Sequence, residues 1–386
     1  MYSKNNVKKA GKQLIDEPTN EQALEILSYW RSTHEKPLSY AVNYIEKLAK
    51  KHLGNGNYIL AHRPKRTSSI INKLRRFNEN GMQLSTMQDI AGCRLILKDM
   101  ADLNRILKIL TNSAKVFSIR NDYIKEPKSD GYRSIHLVGN FTANGIERPI
   151  ELQIRTKVQH AWATAVEIVD LFTKQFLKHN QGEENWKKFF LHSSKMLGYF
   201  ETCFRDNINV LTNKDYIIDK NTQIILQKNY SEDIKDSFEQ VYYYAKTYNI
   251  HAQFKAFTDS LVRTTDIINA QKCKNEYLLL HIFEIIDNKF QIEHIIFAKD
   301  KYYEAEEAYM KKEKDALNSN YETVALISTS SIENIKEAYP NYFADSTSFS
   351  NFINLVVNLT DEFNKSVTVS VKNILHKNFN VLSFKS

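Results

Sequence analysis

Four short groups of residues between positions 63 and 156 have types and spacings that could do chemistry. The first is Arg63-Pro64-Lys65-Arg66-x-x-Ser69-Ile70-x-x-Lys73. On a helix starting near Ser68, Ser69 and Lys73 stand four apart and share a face. With three cations just upstream, that face and the helix N-terminus could hold a chain of phosphates. The second is Asp89-Ile90-Ala91-Gly92-Cys93-Arg94, a carboxylate ahead of an apolar strand with a glycine that permits close approach. The third, Asp122-Tyr123 through Pro127-Lys128 and Gly131-Tyr132 to Ser134 and His136, places a cation, a tyrosine and a histidine in one loop and strand. The fourth is Glu151-Leu152-Gln153-Ile154-Arg155-Thr156, in which strand alternation puts Glu151, Gln153 and Arg155 on one face. Singly, none of these is diagnostic: a lone acid before a strand usually serves a turn, and a lone tyrosine usually packs. Together they are narrow. Two separated carboxylates can hold one Mg²⁺ through oxygen ligands, a basic helix start can hold a triphosphate, and an aromatic ring can stack a base. That set suits the movement of a phosphate-containing group between nucleotides.

The elements that must position these residues follow from periodicity and breakers. Residues 20–53 read as helix interrupted at Pro37, Gly54 to Asn57 as a turn, and the stretch after Ser68 as a helix capped by Thr67 or Ser68. Cys93–Leu97, Val116–Ile119, Ser134–Phe141 and Pro149–Ile154 read as strands, with helices over 101–113 and 156–205. Past residue 210, a polar helical stretch (229–270) leads to a hairpin of Tyr277–Ile286 with Gln291–Phe297. A charged helix (302–317), a strand around Val324–Ile327 and helices from Ser331 and Ser348 complete the reading. The fold class is α+β: a mixed β-sheet flanked by helices, with a smaller C-terminal α+β domain able to bury a core of its own. The division is an N-terminal helical segment (1–39), a central domain (40–205) and a C-terminal unit (210–386).

Composition bounds the rest. The 386 residues are 42% hydrophobic and 25% charged, which excludes wholesale disorder, and the length suits two or three domains. Gly (10) and Pro (6) are too scarce for collagen-like or linker-rich chains. Cys93, Cys203 and Cys273 form neither a CxxC nor a zinc-spaced cluster, so a reducing compartment is the simpler reading. No apolar run approaches a membrane span and no signal peptide opens the chain, so a cytoplasmic protein with no membrane partner is expected. The net charge of +8 is unevenly placed. Residues 1–160 hold 27 basic and 15 acidic residues, the remainder 26 and 30. Between Lys51 and Phe77 no acid offsets seven cations, which points to a polyphosphate or nucleic-acid site.

The order and spacing of R-x-K…SI-x-x-K, D-x-x-G-x-R, DY-x-x-PK-x-x-GY-x-S-x-H and E-x-Q-x-RT resemble the RelA/SpoT-type alarmone synthetase family over residues 40–200. The resemblance implies a nucleotidyltransferase-like sheet. It also implies transfer of the β,γ-pyrophosphate of ATP to the 3′-hydroxyl of GDP or GTP, giving (p)ppGpp. Arg63, Lys65, Ser69 and Lys73 would hold ATP, with Arg63 against the adenine and Arg94 beside it. Asp89 and Glu151 would bind Mg²⁺ and serve as the catalytic acids, Glu151 also as general base. Lys128 would meet acceptor phosphates, Tyr132 would stack the acceptor base, and His136, Gln153 and Arg155 would complete that side. The chain departs from the pattern at Thr164, where the family commonly has Glu after His160-Ala161-Trp162-Ala163. It also has no His-Asp dipeptide, on which a hydrolase domain of the family depends. Some small members are toxins that modify the tRNA 3′ end or make adenosine alarmones, restrained by an antitoxin that in some fused proteins is a phage-sensing C-terminal domain. GDP/GTP and tRNA thus both stand as acceptors, with a regulatory protein partner and a homo-oligomer compatible with the resemblance. The stretches Trp30-Arg31-Ser32, Trp186 to Phe190 and Tyr339-Pro340-Asn341-Tyr342-Phe343 carry no assigned role.

Overall fold

In the computed structural model the described residues are 2–113, 116–173, 175, 177, 182–203, 231–262, 277–286, 289–298, 300–317, 322–329 and 339–361. The expected helix from Ser331, the hairpin tip at Asp287 and Asn288, and Cys273 lie outside them. The chain opens with helices α1 (Lys4–Asp16), α2 (Glu21–Ser32) and α3 (Glu35–Leu53). Pro37 does not break a helix. It sits in the first turn of α3, where a missing N–H leaves no intrahelical bond unmade, and the break falls at Thr33 and His34. Then follow β1 (Tyr58–Pro64), α4 (Thr67–Arg76), β2 (Ala91–Leu97), α5 (Met100–Lys108), β3 (Ser118–Asp122), β4 (Ile135–Ala143), β5 (Ile146–Thr156), α6 (Lys157–Thr173) and α7 (Glu184–Cys203).

The C-terminal half contributes α8 (Glu232–Thr247), α9 (Ile250–Ser260), β6 (Leu261–Val262), β7 (Tyr277–Ile286), β8 (Lys289–Phe297), α10 (Tyr302–Ala316), β9 (Glu322–Thr329), a 3₁₀ turn at Pro340–Phe343 and a helix, α11, over 347–361. Its strands do not form a separate sheet. β9 pairs antiparallel with β1 (Ala61 opposite Thr329, His62 opposite Ser328) and with β7. The nine strands run in the order β3-β4-β5-β2-β1-β9-β7-β8-β6. This half buries one core of its own, Leu279, Tyr302, Ala305, Tyr309, Val324 and Leu326, and shares two others with the first half. Ile59, Ala61 and Ile96 pack with Leu280, Ile282, Phe290 and Ile327. Phe189, Phe190 and Phe200 of α7 pack with Phe254, Phe349 and Phe352, which makes Trp186 and Phe189 core residues.

Alternation assigns each face of the first five strands. Leu60, Cys93, Leu95, Leu137, Leu152 and Ile154 turn toward α3 and α5 and are buried there. The residues between them, Arg63, Arg94, His136, Glu151 and Gln153, turn the other way. Register then aligns them in rows. Val138, Glu151, Gly92 and Arg63 lie opposite one another across β4, β5, β2 and β1, as do His136, Gln153 and Arg94 across the first three. Gly92 is needed in its row because a Cβ there would stand 3.0 Å from the Glu151 carbonyl oxygen. Among the described residues no helix is long and apolar enough to cross a membrane.

The loop before β4 is held by a second tight approach. Gly131 has φ of 93°, and a Cβ there would meet Ser194 Cβ of α7 at 2.9 Å. Gly131→Ala is therefore expected to destabilise the fold by about 1–3 kcal/mol, read as a lowered urea midpoint, and an unchanged midpoint would show that α7 yields freely at this point.

Candidate active site

The polar face of β1, β2, β4 and β5, the start of α4, the inner side of α6 and residues from α10 and the 3₁₀ turn enclose one cavity of about 1770 Å³. All twelve residues selected from the sequence line it. On the side of the α4 start, the ammonium groups of Lys65 and Lys73 each donate to Asp89 Oδ2 at 2.8 Å. Burial would raise the Asp89 carboxyl, but the two lysines overcome it and hold it at about 2. Its other oxygen, Oδ1, is buried without a hydrogen-bond partner. A buried, ionised carboxylate with one oxygen unspent, near enough to Glu151 for its charge to oppose that residue's ionisation, fits a divalent cation with oxygen ligands. Asp89 and Glu151 are the residues that would hold it.

On the other side, Glu151, Gln153 and Arg155 project together as alternation requires. His136 Nδ1 lies 3.0 Å from Glu151 Oε1, and Gln153 Nε2 donates to Oε2 at 2.9 Å. Burial works against Glu151's charge, yet the His136 contact leaves its carboxyl below the ordinary value. Tyr132 Oη lies 2.9 Å from His136 Nε2 and accepts from Arg155 Nη2 at 2.6 Å. Burial pushes this phenol up, but Arg155 and His136 pull it down to about 7. Lys128 Nζ stands 4.6 Å over the Tyr123 ring and 4.8 Å over that of Tyr132, a cation–π arrangement.

The arginines meant for the adenine are covered by the C-terminal half. Arg63 Nη1 donates to Tyr342 Oη at 3.0 Å, and the Tyr339 ring lies 5.9 Å from the Arg63 guanidinium and 5.6 Å from that of Arg94. The start of α4 is covered too. Arg66 occupies its N-cap position and has no side-chain acceptor to offer, so neither Thr67 nor Ser68 is the cap. Instead Glu313 of α10 takes the Thr67 N–H on Oε1 at 2.6 Å and the Thr67 hydroxyl on Oε2 at 2.5 Å. A carboxylate from residue 313 thus fills an anion position at this helix start. It is held by Tyr309 Oη at 2.6 Å and by Arg31 Nη1 at 3.1 Å, while Arg31 Nε pairs with Glu306 at 3.1 Å.

Sequence reasoning missed Glu313 altogether, because nothing in a charged helix marks which glutamate is buried. It noticed the Tyr339 to Phe343 stretch and Arg31 without a role for either. Thr164 is buried and does not line the cavity, whereas Glu167 and Asp170 on the same helix do. Glu167 is close enough for its charge to favour the ionised forms of Arg63 and Arg94.

Residues 62–169 match the family model described as "Region found in RelA / SpoT proteins". The chain therefore carries a RelA/SpoT-type region. Over 108 residues it is 39% identical to GTP pyrophosphokinase YjbM of Bacillus subtilis, a match covering 26% of this chain and 51% of the relative. Over 113 residues it is 34% identical to GTP pyrophosphokinase YwaC of the same organism, covering 26% and 52%. The chain thus spans about half the length of these curated relatives. A solved structure of the B. subtilis small alarmone synthetase 1 bound to its product pppGpp aligns at 28% identity with a TM-score of 0.35, over 43% of this chain and 90% of that one.

The Asp89 pair gives a pH signature. Its carboxyl falls from 3.8 to about 2 on folding, so the stability it adds is full above pH 3.8 and is lost as pH falls through 2. That is on the order of 2 kcal/mol. Lys73→Met weakens the pair and should move the midpoint of acid unfolding upward in a circular-dichroism titration. An unmoved midpoint would mean that Lys73 does not hold the carboxylate down.

Proposed function

We propose that this chain is an ATP-dependent pyrophosphokinase that transfers the β,γ-pyrophosphate of ATP to the 3′-hydroxyl of a guanosine nucleotide, GDP or GTP, making (p)ppGpp. One observation carries the reading: Lys65, Lys73 and a half-partnered Asp89 share a single cavity with Glu151, whose carboxylate is ionised and hydrogen-bonded on both oxygens. The names of YjbM and YwaC support the guanosine acceptor. Lys65, Ser69 and Lys73 bind the triphosphate, and Arg63 and Arg94 take the adenine end. Asp89 and Glu151 would hold Mg²⁺, which would supply neutralisation of the phosphate charge. In the reaction the acceptor 3′-oxygen attacks the β-phosphorus of ATP. The new O–P bond forms as the bond to the α,β-bridging oxygen breaks, AMP leaves with that electron pair, and the hydroxyl proton passes to Glu151.

The C-terminal half restrains this activity. Tyr339, Tyr342 and Glu313 cover the positions that the adenine arginines and the α4 N-terminus would offer to ATP. Ending the chain near residue 210 would remove the β9 partner of β1 and bare the aromatic face of α7, so release is better tested by point variants.

The decisive experiment incubates the full chain and Tyr339→Ala/Tyr342→Ala with ATP labelled at the γ-phosphate and, separately, GDP, GTP, AMP and tRNA. Label on GDP or GTP supports the reading. Label on tRNA or AMP instead would make the chain a synthetase of the toxic kind, and label on none in either form would sink the enzyme assignment. Two results are expected. The double tyrosine variant transfers faster than the full chain, and Glu151→Gln in that background loses more than ~10²-fold while keeping its circular-dichroism spectrum.

A further inference from the structure

The polar side chains around Glu151 close into a ring. Arg155 Nη2 donates to Tyr132 Oη at 2.6 Å and to Gln153 Oε1 at 3.1 Å, which uses both of its hydrogens. From Tyr132 the path runs to His136 Nε2 at 2.9 Å, and from His136 Nδ1 to Glu151 Oε1 at 3.0 Å. From Gln153 it runs through Nε2 to Glu151 Oε2 at 2.9 Å. Two arms therefore connect the guanidinium to Glu151, one through Tyr132 and His136 and the other through Gln153.

Such a ring holds the carboxylate at both oxygens, which resists rotation of its plane. Backbone register enforces it. His136 lies directly opposite Gln153, and Glu151 is two residues along the same strand as Gln153. Each carboxylate oxygen accepts one bond and keeps a second lone pair, which leaves room for an incoming proton. The Tyr132 hydroxyl is spent on Arg155 and His136, and its ring already has the Lys128 and Arg155 cations at 4.8 and 5.0 Å.

We infer that Tyr132, His136, Gln153 and Arg155 are positioning residues that act through Glu151, holding its carboxylate in the orientation from which it takes the acceptor proton. The inference rests on the pyrophosphokinase reading. It departs from a division in which all four meet the acceptor. The Tyr132 hydroxyl serves turnover, and only the ring remains to meet a base.

The test separates kcat from KM. Tyr132→Phe keeps the ring and removes the hydroxyl. His136→Asn keeps an amide N–H at the Nδ1 position for Glu151 but cuts the link to Tyr132. Both variants, and their combination, are assayed with labelled ATP and GDP in the wild-type and Tyr339→Ala/Tyr342→Ala backgrounds. Each single variant should lower kcat about tenfold, a modest share of what misplacing a catalytic group can cost, with the KM for GDP held within about twofold. In the combination the losses should not multiply, since either change opens the same arm. A Tyr132→Phe protein with wild-type kcat, a raised KM with kcat unchanged, or losses that multiply would each overturn the ring while leaving the pyrophosphokinase reading intact. Absence of transfer in both backgrounds would remove that reading and the inference with it. Long-range ¹H–¹⁵N spectra of His136 add a check independent of turnover. The Nε2 resonance should move when the Tyr132 hydroxyl is removed, and an unmoved resonance overturns the link.

Discussion

The guanidinium of Arg31 is fully buried, and the two glutamates that pair with it both belong to α10. A charge so placed is tolerable only while it stays paired, and breaking such a group by removing one partner typically costs about 3–5 kcal/mol. Arg31 sits on α2, close to the N-terminus of the chain, and also donates to the Thr67 hydroxyl at 3.2 Å. One cation therefore binds α2, α4 and α10 at a single point. The Tyr309 ring, 4.9 Å away, seals it from water. Burial lifts the Glu306 carboxyl to about 7 despite Arg31. Glu313 also accepts from Thr67 and Tyr309. The C-terminal half cannot lift from the α4 side of the cavity without exposing or orphaning this cluster.

The sheet imposes the same union by other means. β9 lies between β1 and β7, so β1 is an interior strand only because residues about 267 positions away pair with it. The 3₁₀ turn that carries Tyr342 follows β9 in the chain and packs its tyrosines on Ile59, Ala61 and Ile96. Contacts to Arg63 and Arg94 are thus an extension of the core. A ligand that needs those arginines competes with apolar packing as well as with one hydrogen bond, and separation of the halves would also break the pairing of Ala61 with Thr329 and His62 with Ser328.

Strands β2, β4 and β5 were legible from their apolar runs and alternation, whereas β1 was not read as a strand and β3 was expected at Val116–Ile119 instead of Ser118–Asp122. Leu152 and Ile154 against Glu151, Gln153 and Arg155 leaves one choice of face, and register follows from it. The twelve residues singled out by type, spacing and resemblance all line one cavity. What sequence did not disclose depends on tertiary placement. Glu313 and Glu306 look like any acids of a solvated helix, and only the position of Arg31 makes them interior groups. The cap of α4 was sought locally at Thr67 or Ser68, but the acceptor arrives from α10. Joining of the two halves in one sheet was equally hidden, since a short strand pairs as readily with a distant edge as with its own hairpin.

The interleaved sheet has a consequence for a chain made from its N-terminus. By the time Thr156 has left the ribosome, β1, β2, β4, β5 and α4 are all available to assemble. Tyr339 and Tyr342 are synthesised roughly 190 residues later. At about 5–20 residues per second, that interval lasts on the order of 10–40 s. Throughout it the nascent protein presents a basic cleft and the bare edge of β1 to surrounding anions and neighbouring chains. Translation speed across the second half therefore sets how long each molecule lives uncovered.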